Sequence, residues 1–483
     1  MDEICPPAED TLQFQLKSFS SAISKFEVHM FIRDDELGGV EGDLTISTDL
    51  FEESTGWRLA AMFQKLVEKV AVCNNQGASI LSYDITPDED KQISLRANDT
   101  ATDFDAPKLS ILDWSCESDS QTALYCHGDS PVSYGELKTM VACIHTYLAD
   151  VGTLQKESPI GLLIRSTSQA LASIFGVASF GGSIVVVDPE KTITDRANVI
   201  FKDADVRLVI IDNDFIDKFA DLNGQGYKVI SLDEAMSCEP DLSLKAQEVS
   251  PASVFGYYYT SGTTGKPKGA IITYGNVLNL INWWSGFFSL KQSDRVLLFS
   301  SLSFIMSLRQ YLPTLCAGAT LVLPTSSINF EPAIIDGKVN KLVCTPSALA
   351  VLNIVKVAPN IEAIQVAGEA PRLAVMKAWK SRVENVFIGL GPTELTAHAL
   401  CGMFDGENIC IGYPAANVKA YVMNPISGRE SAINVPGELW ISGKNVANGY
   451  LNRPELTKKH FVADPLEPES ELCCYKTGDL AKV

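Results

Sequence analysis

The stretch Tyr259-Thr-Ser-Gly-Thr-Thr-Gly-Lys-Pro-Lys-Gly269 decides the fold of this chain. An apolar run over 254–259 precedes it and Ala270-Ile-Ile272 follows, which predicts a strand, a glycine-rich loop and a second strand. Glycines let a backbone approach an anion closely, and successive N–H groups form an anion-binding concavity. The loop therefore predicts a polyphosphate site without the spacing of a Walker A loop. The alternative is an ordinary glycine-rich hairpin turn.

Composition limits the classes of partner. The chain has 483 residues and a formal net charge of −20, which disfavours nucleic acid and anionic membranes as partners. A phosphate ligand must therefore be held by local donors. The twelve cysteines show no metal-ligand spacing, and no apolar run approaches the length of a membrane span. We expect a cytoplasmic protein with free thiols.

Alternating strand and helix patterns begin near residue 116. Ser133 and Glu136 form a capping-box signature ahead of a helix, and a second apolar helix covers 168–180. Near-continuous apolar strands are expected at 159–164, 182–189, 206–211 and 228–231. Such strands, separated by helices, predict parallel sheets that are covered on both faces.

The first hundred residues follow a different pattern. Alternating apolar positions predict three strands, around 12–16, 26–32 and 44–46, and residues 57–72 carry a helical apolar stripe. Residues 76–115 are polar and rich in turn formers, which is typical of a linker. The sequence thus predicts three segments: a small α+β piece at 1–75, a linker at 76–115 and a large α/β domain at 116–483.

Six motifs, met in order along the chain, resemble those of the adenylate-forming enzymes, and in particular the adenylation domains of nonribosomal peptide synthetases. They are Val132-Ser-Tyr-Gly-Glu-Leu137, residues 180–189, the glycine-rich loop, Gly391-Pro-Thr-Glu394 with Thr396, residues 437–457, and Tyr475-Lys-Thr-Gly-Asp479. The resemblance implies an α/β core subdomain with two βα-layered sheets and a small β-barrel-like part. Residues 42–51 are similar to the closing strand of a condensation domain, so residues 1–75 are expected to be the tail of one. The family's adjacent-histidine active-site motif is absent, and we expect no condensation activity.

The resemblance also implies ATP and Mg²⁺ as cofactors and assigns roles to single residues. Glu394 would contact the metal ion, Thr393 would bond the α-phosphate, and Asp479 would accept from the ribose hydroxyls. The implied ATP-binding residues are Thr260, Ser261, Gly262, Thr263, Thr264, Gly265, Lys266, Lys268, Leu390, Gly391 and Asp479. Each of them has a simpler interpretation as a turn or cap residue. Two positions depart from the family: Leu390 stands where a tyrosine usually stacks on adenine, and Tyr274 stands in place of a histidine.

The implied acid pocket departs from the family at its first position. Amino-acid-activating members have an aspartate there that pairs with the substrate's α-ammonium, and this chain has Ile305. A buried ammonium without a counter-charge costs several kcal/mol, on the order of the desolvation penalty of an ion. We therefore expect an acid without an α-amine, such as an α-keto, α-hydroxy or aryl acid, or else a pocket that binds nothing. The implied pocket residues are Phe304, Ile305, Met306, Arg309, Ser347, Gln365, Ala367, Gly368, Gly389, Ala397 and His398. Arg309 and His398 either face the ligand or pair with neighbouring carboxylates.

The resemblance implies further parts beyond Val483: a mobile lid subdomain, and a carrier domain whose phosphopantetheine receives the acyl group. We expect this chain to lack the lid, through truncation or through an insertion such as a ketoreductase. The leading hypothesis is an acid-activating ligase that works with carrier and condensation domains. The alternatives are a non-catalytic scaffold with the same fold and a free-standing acyl-CoA ligase or luciferase-like enzyme, which the condensation-like segment disfavours.

Overall fold

The computed structural model describes residues 26–34, 40–72, 79, 83–152, 154–261, 267–325, 328–470 and 472–483. The chain divides into two compact units. The larger contains Asn98–Ala420 and Ile441–Lys476, and the smaller contains the described residues up to Ala97 with Tyr421–Trp440 and Thr477–Val483. These units do not coincide with the predicted segments 1–75, 76–115 and 116–483, so that division stays a prediction.

The helices begin and end as follows: α1 Glu53–Val72, α2 Asp88–Ala97, α3 Tyr134–Asp150, α4 Ser168–Phe180, α5 Thr194–Asp203, α6 Leu232–Met236, α7 Tyr274–Phe287, α8 Leu308–Cys316, α9 Glu331–Asp336, α10 Pro346–Val351, α11 Ile354–Val357, α12 Leu373–Lys380 and α13 Pro454–His460. Short 3₁₀ turns lie at Asn213–Phe215, Ala220–Gln225, Ile305–Ser307, Ala358–Asn360 and Thr393–Leu395.

The strands are β1 Val28–Asp34, β2 Val40–Ile46, β3 Thr122–Cys126, β4 Val132–Ser133, β5 Pro159–Leu163, β6 Ser183–Val187, β7 Leu208–Ile211, β8 Lys228–Ser231, β9 Val254–Ser261, β10 Pro267–Thr273, β11 Arg295–Leu297, β12 Thr320–Leu323, β13 Lys341–Cys344, β14 Ala363–Val366, β15 Asn385–Leu390, β16 Leu400–Met403, β17 Tyr413–Pro414, β18 Val418–Met423, β19 Gly437–Gly443, β20 Phe461–Ala463 and β21 Cys473–Ala481.

Two large sheets form the larger unit. The first has the order β10-β9-β6-β5-β7-β8 and is parallel except for the β9–β10 hairpin. The second has the order β17-β16-β15-β14-β13-β11-β12-β3-β4, with a parallel centre and antiparallel edges. Their central strands are fully buried, as expected for parallel strands covered on both faces. The predicted α/β class with two layered sheets is confirmed.

The predicted capping box is also present. The Ser133 side chain accepts from the Glu136 N–H, and the Glu136 carboxylate accepts from the Ser133 N–H at 2.7 Å. Residues Leu137, Val141, Ile144 and Leu148 of α3 are buried. A third sheet has the order β18-β19-β21-β20. No closing pairing is seen for this sheet among the described residues, and the barrel-like part stays a prediction.

The smaller unit contains two of the three predicted N-terminal strands, β1 and β2, paired antiparallel; the strand expected around 12–16 lies outside the described residues. Helix α1 begins four residues before the predicted start at 57. Helix α2 lies within the segment interpreted as a linker. Its Asp90 is buried and accepts from Arg58 of α1 at 3.1 Å and from the Ile433 N–H at 3.0 Å.

Across the described parts of the chain, no helix combines the length and apolar character needed to cross a bilayer.

Candidate active site

The β9–β10 hairpin carries the predicted phosphate loop. Residues 262–266 lie outside the described residues, as does the side chain of Ser261, so the predictions for Gly262, Thr263, Thr264, Gly265 and Lys266 are not tested. On the described part, Thr260 of β9 pairs with Lys268 of β10. The Oγ1 atom of Thr260 is buried and has no hydrogen-bond partner among the described residues. Thr260 thus places an unpaired polar atom near the end of β9.

A second segment runs along the free edge of β10. The Ile271 N–H donates to Gly449 O at 3.0 Å, and the Leu451 N–H donates to Gly269 O at 2.9 Å. This pairing sets Tyr450 opposite Ala270. Gly449 has a φ of +90° and lies so close to Thr457 that a Cβ atom would meet its Cγ2 at 2.5 Å. Only glycine fits that backbone, which directs Tyr450 toward the β10 edge.

Lys268, Glu394 and Tyr450 form one hydrogen-bonded cluster. The Lys268 ammonium lies 2.9 Å from Glu394 Oε1 and 2.8 Å from the Tyr450 hydroxyl, and that hydroxyl donates to Glu394 Oε1 at 2.6 Å. The Glu394 side chain is 7% exposed and that of Lys268 is 23% exposed. A carboxylate and an ammonium from positions 126 residues apart thus meet beside the predicted phosphate loop.

The cluster fixes the charge of Glu394. Burial alone would raise the pKa of its carboxyl group, but the hydrogen bonds from Tyr450 and Lys268, and the charge of Lys268, outweigh burial and hold the pKa below its usual value. Burial and the neighbouring carboxylate raise the pKa of Tyr450. Glu394 is therefore ionised at neutral pH and Tyr450 stays a hydrogen-bond donor. An ionised carboxylate is the ligand that Mg²⁺ prefers.

The loop after β15 carries Glu394 in a tight turn. A Cβ atom on Gly391 would lie 2.1 Å from Ala397 O, so this position admits only glycine. Thr393 is buried and begins a 3₁₀ turn, after which Thr396 and Ala397 have φ values of 51° and 65°. Left-handed backbone at two successive non-glycine residues is strained and needs outside support, and such strain is common at functional sites.

Buried asparagines give that support. Asn445 donates to His398 O at 2.8 Å, and its backbone carbonyl accepts from Thr396 Oγ1 at 2.8 Å. Asn279 of α7 in turn donates to Asn445 Oδ1 at 2.8 Å. The Ala447 N–H donates to Glu394 O at 2.9 Å. Helix α7 and the 445–447 segment therefore hold both ends of the Glu394 loop.

The predicted acid pocket brings together Arg309, Gln365, Gly389, Ala397 and His398. Arg309 Nη1 lies 3.4 Å from Ala397 O and 3.4 Å from His398 Nδ1. A Cβ atom on Gly389 would meet Gln365 Nε2 at 2.5 Å and His398 Cε1 at 3.4 Å, so both side chains fill the space over this glycine. All five residues are buried. They lie on α8, at the ends of β14 and β15, and in the loop that follows β15.

Ile305 and Met306 are each 2% exposed. Met306 contacts the next part of the pocket, because a Cβ atom on Gly368 would meet its Sδ at 3.2 Å. Gly368 has a φ of +91°, which explains a glycine there. Ala367, just before it, is buried. The residue at the family's aspartate position is thus an apolar side chain in the interior.

Four of the predicted site residues are not seen in contact with the two buried clusters described above. Phe304 is 48% exposed, and Ser347 is exposed and donates to Glu369. Leu390 ends β15 and is half-buried. Asp479 belongs to the smaller unit, where its N–H donates to Thr477 Oγ1 at 3.0 Å. Their assignment to the site stays a prediction.

Sequence reasoning gave no role to Tyr450, Trp283, Trp284 or Asn445. Tyr450 lies within the motif at 437–457, and its place in that motif could have marked it as a site residue. Trp283 of α7 lies against His398 with ring centroids 4.4 Å apart, and Trp284 lies 5.2 Å away. Tyr274, at the family's histidine position, is buried, and its hydroxyl donates to Ala178 O at 3.4 Å. It is a buried residue at the start of α7.

Within the described ranges, no group of three or more histidine, cysteine, aspartate or glutamate side chains is placed to hold a metal ion. Glu394 as a single ionised carboxylate is nevertheless a suitable partner for Mg²⁺, which keeps waters and phosphate oxygens as its other ligands. The fit to a magnesium nucleotide rests on Glu394 and on the unpaired hydroxyl of Thr260.

A two-sheet α/β core with a glycine-rich hairpin beside a buried Lys–Glu pair defines a nucleotide-binding class of protein. Residues 112–451 match the family described as AMP-binding enzyme. The chain belongs to this family, within the adenylate-forming superfamily.

Individual proteins agree with this assignment. The chain is 28% identical over 470 residues to bacitracin synthase 3 of Bacillus licheniformis, covering 95% of this chain and 7% of the synthase. A four-domain nonribosomal peptide synthetase bound to AMP and glycine superposes with a TM-score of 0.81 at 24% identity, covering 95% of this chain and 34% of that one. The N-terminal subdomain of Klebsiella oxytoca NpsA in complex with 3-hydroxybenzoyl-AMSN superposes with a TM-score of 0.66 at 20% identity. The superposition covers 75% of this chain and 93% of that subdomain. At these identities the structural likeness shows the fold, and the chain spans under a tenth of the synthase that it matches.

Proposed function

We propose that this chain activates a carboxylic acid with ATP, forming acyl-AMP and pyrophosphate, within a nonribosomal peptide or depsipeptide synthetase. The observation that carries the proposal is the cluster of Lys268, Glu394 and Tyr450 beside the glycine-rich hairpin. A carboxylate substrate is already a nucleophile, so the site needs no general base. It must instead align two anions and stabilise charge on the departing phosphates.

Each member of the cluster has a role in this proposal. Lys268 would neutralise phosphate charge, and ionised Glu394 would hold Mg²⁺, which would supply further positive charge to the phosphate oxygens. Tyr450 keeps Glu394 oriented and ionised. Thr260, with the hydroxyls and N–H groups of the loop at 261–266, would receive the pyrophosphate. Thr393 would bond the α-phosphate.

The acid in this proposal lacks an α-amine. Ile305 is buried and apolar where an ammonium would need a carboxylate. The cluster around Arg309 and His398 adds a positive charge, which would repel an ammonium. The acyl group would pass to phosphopantetheine on a carrier domain, with a condensation domain as the next partner. The NpsA subdomain bound to 3-hydroxybenzoyl-AMSN is a precedent, in another protein, for an amine-free acyl group on this fold.

Calorimetric titration with Mg-ATP tests the proposal. We expect wild-type protein to bind Mg-ATP, and Glu394→Gln to bind it at least about 10-fold more weakly, since the amide removes a charge-assisted contact. Glu407→Gln, at an exposed acidic residue, is the matched control and should bind like wild type. Absence of heat with wild type at millimolar nucleotide would favour a non-catalytic scaffold.

A further inference from the structure

The guanidinium of Arg309 is buried without a carboxylate partner. The residue is 0% exposed. Among the described residues its hydrogen bonds go to a backbone carbonyl and to His398, and no ion pair forms. Burial lowers the pKa of Arg309 to about 10, which still leaves it charged at neutral pH. A buried charge without a counter-ion is costly, and most buried arginines avoid that cost by pairing.

The contacts that Arg309 does make use only one side of the guanidinium. Nη1 faces Ala397 O and His398 Nδ1, and the guanidinium carbon lies 5.7 Å from the centre of the Trp284 ring. Nε and Nη2 are buried and have no hydrogen-bond partner among the described residues. These two nitrogens form the side-on fork of an arginine, whose two parallel N–H bonds match the two oxygens of a carboxylate.

His398 adds a third unpaired donor, on the Nη1 side of the guanidinium. Burial and the charge of Arg309 lower its pKa, so the imidazole is neutral. Because Nδ1 faces the Nη1 donor of Arg309, it acts as the acceptor, and the proton therefore resides on Nε2. That Nε2 is also buried and has no partner among the described residues. Three buried donor nitrogens, two of them on a charged side chain, thus have no hydrogen-bond partner among the described residues.

We propose that the acid activated at this site is a dicarboxylic acid, whose second carboxylate accepts from the Nε and Nη2 fork of Arg309. The inference rests on the proposed function and narrows its substrate class. The distal carboxylate supplies the missing counter-charge. A further unpaired atom of the cluster, Gln365 Oε1, is an acceptor and suits a hydroxyl donor on the same acid.

Matched pairs of non-hydrolysable acyl-adenylate analogues test this inference on the full chain. One pair is succinyl- and butanoyl-sulfamoyladenosine, and the other is 4-carboxybenzoyl- and benzoyl-sulfamoyladenosine. Within a pair the two analogues differ only in the distal carboxylate. We expect the diacid analogue of at least one pair to bind wild type about 30-fold or more tightly than its monoacid partner, as for a buried hydrogen-bonded charge pair.

Arg309→Met supplies the second readout. Methionine has a similar length and removes the fork, so the preference for the diacid over the monoacid should disappear. Arg309→Lys keeps the charge without the fork and should retain only part of the preference. Without ligand, Arg309→Met should melt at the wild-type temperature or higher, since an apolar residue replaces an unpaired buried charge.

Several results would overturn the inference. Equal affinity for diacid and monoacid in both pairs would refute it and leave the proposed function standing. A large fall in the melting temperature of Arg309→Met would show that Arg309 serves the fold and not a ligand. Failure of wild type to bind any of the four analogues would refute the inference, and the Mg-ATP titration then shows whether the proposed function fails with it.

Discussion

Lys268 and Glu394 lie 2.9 Å apart, ammonium to carboxylate. The proposed reaction needs Lys268 for a phosphate and Glu394 for a metal ion. In the structure the two side chains neutralise each other. A magnesium nucleotide would separate the pair by giving each charge a stronger partner. In the proposed function the pair would therefore couple the binding of the metal to the binding of the nucleotide.

The coupling predicts that Mg²⁺ alone binds weakly and that nucleotide strengthens its binding, by roughly 5- to 150-fold as in other linked sites. Lys268→Met should tighten the binding of free metal and weaken that of nucleotide. Titration with Mn²⁺ followed by paramagnetic resonance, with and without a non-hydrolysable ATP analogue, measures both. Identical affinity for free metal in wild type and Lys268→Met would refute the coupling.

Removal of the Tyr450 hydroxyl should change both the stability of the protein and its dependence on pH. The pKa of Glu394 lies below the usual 4.5, so its contribution to stability is fully present above pH 4.5 and is lost as the pH falls through the folded-state pKa. Tyr450→Phe removes one hydrogen bond to the carboxylate and raises that pKa. We expect a loss of about 1.5–3 kcal/mol at pH 7, with the loss of stability on acidification starting at a higher pH.

Urea unfolding at pH 7 and at steps down to pH 4 checks the Tyr450 prediction. Tyr413→Phe is the control, because Tyr413 is 71% exposed and its hydroxyl should contribute little. Superimposable curves for Tyr450→Phe and wild type would contradict the role given to this hydroxyl.

Gly391 should tolerate no side chain. A Cβ atom there would meet a backbone carbonyl at 2.1 Å and the His398 Cα at 2.5 Å, and neither can move without distorting the Glu394 loop. Gly391→Ala should cost about 1–3 kcal/mol and weaken Mg-ATP binding. Gly286→Ala in α7 is the matched control, since nothing lies within 4 Å of its Cβ position, and it should be neutral or slightly stabilising. Equal unfolding midpoints for the two variants would be inconsistent with this packing.

Ile305→Asp should shift the preference of the pocket toward amine-bearing acids. The new carboxylate would pair with an α-ammonium, and the change in relative affinity should reach roughly 30- to 1,000-fold. Competitive binding of amine-bearing and amine-free acyl-sulfamoyladenosines measures the ratio. Ile426→Asp, at a residue that is 75% exposed, should leave it unchanged. If Ile305→Asp left the ratio of the two affinities unaltered, Ile305 would not line the acid pocket.

Local signals in the sequence predicted much of the fold. The Ser133 capping box, the buried strands and the β9–β10 hairpin all follow from short-range patterns, and each is present. Helix α2 was missed because its residues are polar and its mean hydropathy resembles that of a linker. Its three acidic residues in the first turn, a known start signal, were available.

The site depends on long-range contacts that no local pattern contains. Lys268 and Glu394 are 126 positions apart, and Tyr450 lies 182 positions from Lys268. Their motifs were recognised, but the hydrogen bonds between them were not. The sequence left open whether Arg309 pairs with a carboxylate. Burial and geometry answer this among the described residues, since the fork of Arg309 has no partner.

The central claim, that the site holds an acyl-adenylate whose acid lacks an α-amine, is tested most directly on the wild-type chain. Calorimetry with two sulfamoyladenosines that share one acyl skeleton, one bearing an α-keto group and one an α-amine, gives the relative affinity. Since Ile305 offers no counter-charge to an ammonium and Arg309 adds a like charge, we predict at least about 10-fold tighter binding of the α-keto analogue. Tighter binding of the amine-bearing analogue would contradict the account.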